Sequence, residues 1–183
     1  SYFFAFARDF VQLAEQVQPT LTHRFLAMLE ERGKLDAVIT QNIDGLHQKA
    51  GSKRVIEVHG SVRHGHCRTC GRAYAYEELK AKVLNQEIAR CDSCSGIVKP
   101  DIVFFGEAVQ GMAEASRVAG QADLFFVIGS SLTVHPAASL PEYAGGQVVV
   151  VNQGPVESAS PEWLRIDEPA DPFFARIASK LGL

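Results

Sequence analysis

The chain has 183 residues, 46% of them hydrophobic and 21% charged, a composition that suits a globular fold with one core and excludes disorder or collagen-like order. Its 18 Lys and Arg against 21 Asp and Glu leave a formal net charge of -3. No global positive field therefore exists to hold nucleic acid or an anionic membrane by counterion release, and nucleic acid is an unlikely partner.

The opening, Ser1 to Ala7, has neither a methionine nor a basic stretch. It reads as a cut end rather than a signal peptide, and the chain is expected to be a fragment of a longer protein. Phe3, Phe4, Phe6 and Phe10 look like helix residues missing their packing partners. Leu21, Phe25, Met28 and Leu29 share one helix face, with Thr20 as N-cap after Pro19 and Gly33 as the stop. Residues 36–40 and 55–58 are short apolar runs that suit strands buried on both faces. After the cysteine-bearing segment, a helix is predicted around 112–120, a strand at 124–128, a strand at 148–151 and a last helix at about 172–181. Strands alternating with helices imply an α/β fold with a doubly wound parallel sheet. No apolar run approaches the roughly 20 residues needed to cross a bilayer, so the expectation is a cytoplasmic protein with no membrane contact, most simply a monomer.

All four cysteines and three of the six histidines fall within residues 59–96, which read as an inserted module in a frame made of residues 1–58 and 97–183. Cys67 and Cys70, then Cys91 and Cys94, form two C-x-x-C pairs separated by twenty residues, the pattern of a four-thiolate zinc site. Gly71, and Ser95 with Gly96, allow the tight turns that such pairs need. Two disulfides or four free thiols would be the plainer reading, but nothing in the sequence points to an oxidising compartment. Four thiolates close the tetrahedron, so one structural Zn2+ is expected, with catalysis elsewhere. His64 and His66 are then exposed polar residues of the module.

In doubly wound sheets ligands bind beyond the carboxyl ends of the strands. The groups that follow each apolar run here are Thr40 to Asp44, His59 and Gly60, Gly129 to Ser131, and Asn152 to Gly154. They are small, hydroxyl, amide or imidazole groups, suited to a ligand rich in hydroxyls and phosphates.

Taken together, Thr40-Gln41-Asn42-Ile43-Asp44-Gly45-Leu46-His47, Glu57-Val58-His59-Gly60, the two C-x-x-C pairs, Lys99-Pro100-Asp101-Ile102-Val103-Phe104-Phe105-Gly106-Glu107, Gly129-Ser130-Ser131-Leu132 and Val151-Asn152 resemble the sirtuin family in order and spacing, most closely its bacterial or archaeal members. The resemblance implies a Rossmann-like domain carrying a small zinc-ribbon module. It also implies NAD-dependent removal of acyl groups from lysine side chains of protein or peptide substrates, with nicotinamide and O-acyl-ADP-ribose as products. In the family mechanism the acyl oxygen attacks the nicotinamide ribose, nicotinamide leaves, and a histidine base activates a ribose hydroxyl.

Residue by residue, His59 matches that histidine, and imidazole exchanges protons near neutral pH. Gln41 and Asn42 match residues that contact the nicotinamide ribose and order the reacting water, while Ile43 and Asp44 match those that hold the carboxamide. Gly129, Ser130 and Ser131 match the phosphate- and ribose-contacting loop, although two serines there could simply start a helix. Asn152 matches the contact to the adenosine ribose, and Asp171 falls near the adenine contact. Val103 and Phe105 match the walls of the acyl-lysine tunnel. Gly106 and Glu107, with Leu132 to Val134 on the facing segment, match backbone that pairs with the substrate peptide.

The sequence lacks the family's Gly-Ala-Gly-x-Ser loop and its Gly-Ile-Pro-Asp-Phe-Arg segment, which supply a large share of the cofactor site, so this stretch alone is expected to be catalytically incomplete. Two alternatives remain open: ADP-ribosyl transfer to protein at the same NAD site, and a non-catalytic binding module that docks through Arg63, Arg68 and Arg72.

Overall fold

A computed structural model describes residues 2–104, 106–157 and 160–183. In chain order its elements are helix α1 (Tyr2–Gln16), helix α2 (Leu21–Glu31), strand β1 (Val38–Thr40), helix α3 (Leu46–Ala50), strands β2 (Val55–Glu57), β3 (Gly60–Cys67) and β4 (Ala73–Ala75), helix α4 (Tyr76–Asn85), strand β5 (Val98–Ile102), helix α5 (Met112–Gln121), strand β6 (Leu124–Ile128), a 3-10 helix (Ala137–Tyr143), strands β7 (Gln147–Val151) and β8 (Leu164–Ile166), and helix α6 (Ala170–Leu181). The elements predicted from periodicity are all present, with ends shifted by one or two residues. The two serines after Gly129 lead into a loop and the 3-10 helix, not an α-helix.

Two compact units result, one of Ser1–Gln18, Asn42–Leu46 and His59–Gln110, the other of Pro19–Gln41, His47–Val58 and Gly111–Leu183. The first unit is wider than the 59–96 module read from the sequence, because it takes in α1, a short piece after β1, and the chain as far as Gln110.

The second unit is the α/β frame. Its strands pair in parallel, β1 with β2 and β6 with β7 with β8, in a register that sets Thr40 opposite Glu57, Ile128 opposite Val151 and Val151 opposite Ile166. Val148 to Val151, all of β7 after the exposed Gln147, are buried, the near-continuous apolar run expected of a strand covered on both faces. Ile56, Val58, Ala115, Val118, Ala137 and Leu140 form one core cluster, with Phe125 packed against it. Phe174 of α6 packs its ring 5.3 Å from Phe25 of α2 and 5.7 Å from Phe126 of β6. Burying each such large apolar side chain is worth about 1.5–3 kcal/mol.

The first unit is built on a three-stranded antiparallel sheet, β4-β3-β5. Phe4, Ala7 and Val11, one stripe of α1, join Tyr74, Leu79, Val83, Val98 and the buried Cys67 and Cys91 in one core cluster. The opening phenylalanines are therefore not uniformly unpartnered. Phe4 is buried, Phe3 packs edge-on to Phe4 and Phe104, and Phe6, though exposed, has its ring 5.8 Å from that of Phe10. Among the described residues, no helix is long and apolar enough to cross a membrane.

Candidate active site and zinc centre

The cysteine pairs are two matching turns. Gly71 N–H donates to the Cys67 carbonyl and Ser95 N–H to the Cys91 carbonyl, each at 2.9 Å, while Thr69 and Ser93 N–H groups point to the sulfurs of Cys67 and Cys91 at 3.4 Å. Gly71 and Ser95 carry the positive φ at each turn, so glycine is used for its backbone freedom only in the first. Gly96 is needed for space: a Cβ there would lie 2.5 Å from Thr69 Oγ1 and 3.0 Å from Cys67 Sγ.

The four sulfurs lie within 4.8 Å of one another, with Cys67 to Cys94 at 3.5 Å and Cys70 to Cys91 at 3.6 Å. A tetrahedral zinc with Zn–S bonds of about 2.3 Å needs sulfurs about 3.8 Å apart. All four cysteines are free thiols, so the disulfide reading falls and the donor set fits one structural zinc. The Tyr74 hydroxyl donates to Cys91 Sγ at 3.2 Å and accepts from Asp92 N–H at 3.0 Å. That hydrogen bond, more than the backbone N–H of Ser93, pulls the Cys91 thiol down to about 6 against the burial that opposes it, readying it as a thiolate ligand. No local pattern marks Tyr74 for this task, since it reaches Cys91 only through the fold.

In the same unit, His59 stands where the chain enters β3. Its carbonyl accepts from Val103 N–H at 2.9 Å, which ties the expected base to the expected acyl-lysine wall. Gly60 has a φ of +74 and sits so close to β5 that a Cβ would fall 1.8 Å from the Asp101 carbonyl oxygen; only glycine fits here. Asn42 is exposed and Ile43 and Asp44 half-buried. Asp44 Oδ1 accepts from Leu46 N–H at 2.9 Å, a turn that starts α3. His64 and His66 are exposed and place their Nδ1 atoms 3.2 and 2.9 Å from the carboxylate oxygens of Asp101.

Val103 is half-buried, and Gly106 and Glu107 are exposed, whereas Phe105 lies outside the described residues. The Glu107 carboxylate turns back on its own loop. Lys99 Nζ donates to both its oxygens, at 2.9 and 2.7 Å, and Phe104 N–H donates to Oε2 at 3.0 Å. The lysine ammonium, followed by that N–H, holds the Glu107 carboxyl below the usual range. The sequence pattern included both residues but gave a role only to Glu107.

In the second unit, Gln41 follows β1, and the parallel register brings the carboxyl ends of β6 and β7 together. Gly129 N–H donates to the Val151 carbonyl at 2.9 Å, so Gly129 and Ser130 lie beside Asn152, at the edge where such sheets bind ligands. Gly129 has a φ of +62 with nothing within 4 Å of where a Cβ would be, an open, tight turn of the type that cradles anionic oxygens. Ser130 Oγ accepts from Leu132 N–H at 3.2 Å, Ser131 Oγ lies 3.2 Å from Thr133 Oγ1, and the Asn152 amide donates to the carbonyls of Gln153 and Pro155. Val134 is exposed, but Leu132 is a core residue, 3% exposed with a φ of +56; it presents only its backbone.

Asp171, expected near the adenine, is engaged elsewhere. Its carboxylate accepts from Thr22 N–H at 2.9 Å, Leu21 N–H at 3.3 Å and the Thr22 hydroxyl. It thus caps α2 from the start of α6. Burial pushes its carboxyl up, but the Thr22 hydrogen bonds outweigh this and hold it below the usual range.

An α/β frame with a ligand edge, joined in one chain to a four-thiolate module, defines a class that comparison identifies. Residues 1–136 match the Sir2 family, and the chain belongs to that family, the sirtuins. It is 40% identical over 186 residues to an NAD-dependent protein deacetylase of Thermotoga maritima, covering 99% of this chain and 76% of that protein. It is 48% identical over 141 residues to one of Sulfolobus acidocaldarius, covering 75% of this chain and 56% of that protein. Among solved structures, a Sir2 protein bound to a propionylated peptide gives a TM-score of 0.91 at 40% identity, covering 98% of this chain and 78% of that one. A Sir2 complex with a p53 peptide and NAD+ gives 0.86 at 38% identity, covering 99% and 80%.

Proposed function

We propose that this chain forms the catalytic part of an NAD-dependent protein-lysine deacylase that acts in the cytoplasm as a monomer on acyl-lysine proteins or peptides. The hydrogen bond from Val103 N–H to the His59 carbonyl carries the reading, because it couples the segment bearing the base to the segment that would wall the acyl-lysine. The deacetylase activity for which the relatives are named, and a relative that holds peptide and NAD+ together, support the substrate pair.

NAD, when bound, supplies an electrophilic ribose carbon and nicotinamide as leaving group. This chain's residues contribute part of the remaining machinery. His59 takes a proton from a ribose hydroxyl, and a positioned imidazole contributes about 10²–10⁴ in rate. Gln41 and Asn42 orient the ribose and a water, and Ile43 and Asp44 hold the carboxamide. The turn at Gly129, with Ser130 and Ser131, receives phosphate oxygens, and Asn152 a ribose hydroxyl. Val103 and Phe105 strip water from the acyl-lysine stem, while Gly106, Glu107, Leu132 and Val134 offer backbone to the peptide. Asp171 we assign to capping α2 rather than to the adenine. Cys67, Cys70, Cys91 and Cys94 would hold one zinc, which would brace the first unit and, with four thiolates bound, offer no open position to substrate.

The test is to follow labelled NAD with the intact protein and an acetyl-lysine peptide. The reading requires free nicotinamide, deacetylated peptide and label in a small acylated ADP-ribose. Label attached covalently to protein, with the peptide still acetylated, would establish ADP-ribosyl transfer instead.

A further inference from the structure

We infer that Lys99 is a positioning residue for substrate, a clasp that ties Glu107 to Ile102 and Phe104 and so sets the backbone there in the form that receives the acyl-lysine peptide; this rests on the deacylase reading above. Four observations converge on one ammonium group. Lys99 Nζ donates to both carboxylate oxygens of Glu107, and also to the Ile102 carbonyl at 3.0 Å, just before the loop begins. It lies 4.6 Å from the centre of the Phe104 ring, in cation–π range. The same carboxylate accepts from Phe104 N–H at 3.0 Å, and Glu107 N–H donates to the Phe104 carbonyl at 2.9 Å. The lysine side chain is 18% exposed and that of Glu107 40%, so the ammonium end is partly desolvated while the carboxylate end meets solvent, and it is the several partners of one ammonium that set this pair apart from a lone surface ion pair.

The clasp has both ends anchored. Lys99 belongs to β5, paired with His66 of β3, while Phe104 packs edge-on to Phe3 of α1 at 5.5 Å. The loop between them begins at Val103, whose N–H is bonded to the His59 carbonyl. Lys99 thus sets the geometry of a segment that touches substrate without touching substrate itself. Glu107 serves the peptide through the loop's backbone, since both its carboxylate oxygens are committed.

The test compares Lys99→Met, which keeps length and removes charge, with Lys99→Arg, which restores a donor, in the intact zinc-loaded protein. Amide exchange of the free protein decides whether the clasp exists. Lys99→Met should speed exchange at Phe104 and Glu107 by about tenfold, the scale of one charge-assisted hydrogen bond, with the β3 amides unchanged and Lys99→Arg close to the parent. Unchanged exchange at Phe104 overturns the clasp. Steady-state kinetics decides its role: the peptide KM should rise about tenfold with kcat within about twofold and the NAD KM unmoved. A peptide KM unchanged in Lys99→Met, or a parallel rise in the NAD KM, overturns the positioning role. Failure of the parent protein to deacetylate any acetyl-lysine peptide would instead sink the deacylase reading, and the exchange result would still stand on its own.

Discussion

Replacing Gly60 by alanine tests how the strand geometry positions His59. Two costs follow from the structure. The φ of +74 at Gly60 is a left-handed conformation that charges a side chain about 1–2 kcal/mol. The added Cβ would sit 1.8 Å from the Asp101 carbonyl oxygen, about 1.5 Å closer than an ordinary carbon–oxygen contact. The obstacle is backbone, so β3 and β5 must separate, carrying His59 and its bond to Val103 with them. Gly71 is the matched control, with a φ of +73 and nothing within 4 Å of its would-be Cβ. Gly71→Ala should lower Tm by about 2–8 °C, the conformational cost alone. Gly60→Ala should lower it by roughly 10 °C and cut kcat/KM by about 10² or more, the scale of a 1 Å misplacement of a reacting group. Thermal melts and peptide deacetylation on both variants measure this. Equal effects of the two substitutions would refute the close-packing argument.

Elemental analysis should find one zinc per chain, and a strong chelator should melt the first unit while the parallel strands β6 and β7 keep their amide protection, since structural zinc supplies about 10–16 kcal/mol of apparent binding energy to such modules. Retention of β3 and β5 protection after the metal is gone would contradict this. Asp171→Asn should cost about 1–2 kcal/mol at neutral pH through loss of the α2 cap. Because the Asp171 carboxyl is held below its unfolded value, its contribution is full above an unfolded carboxyl pKa near ~4 and disappears as pH falls through the folded value. The gap in urea midpoint between parent and variant should therefore be constant from about pH 6 to 8 and shrink in acid; a gap that widened in acid would rule out this cap.

Much of the frame was legible because its signals are local. Val148 to Val151 are apolar with no alternation, and a strand covered on both faces has no reason to alternate. The two C-x-x-C pairs are likewise self-contained, since each turn presents two sulfurs with no help from elsewhere. The grouping of α1 with the cysteine module was not legible, because Phe4 meets Tyr74 and Val83 only after some seventy residues of chain have folded, and nothing in the helix's own periodicity names its partner. The capping role of Asp171 was not legible for the same reason: the groups it caps, Leu21 and Thr22, lie about 150 residues away. Leu132 sits in a motif that points to backbone recognition, yet its side chain fills the core. Lys99 stood in a recognised motif but received no role, because motif reading favours the residues that touch ligand over those that brace them.

The most direct measurement is deacetylation by His59→Ala in the intact protein, with zinc content and Tm checked alongside. A fall of about 10²–10⁴ in turnover of an acetyl-lysine peptide, with both controls at parent values, is the predicted result. Turnover undiminished in that variant would contradict the assignment of His59 as the base.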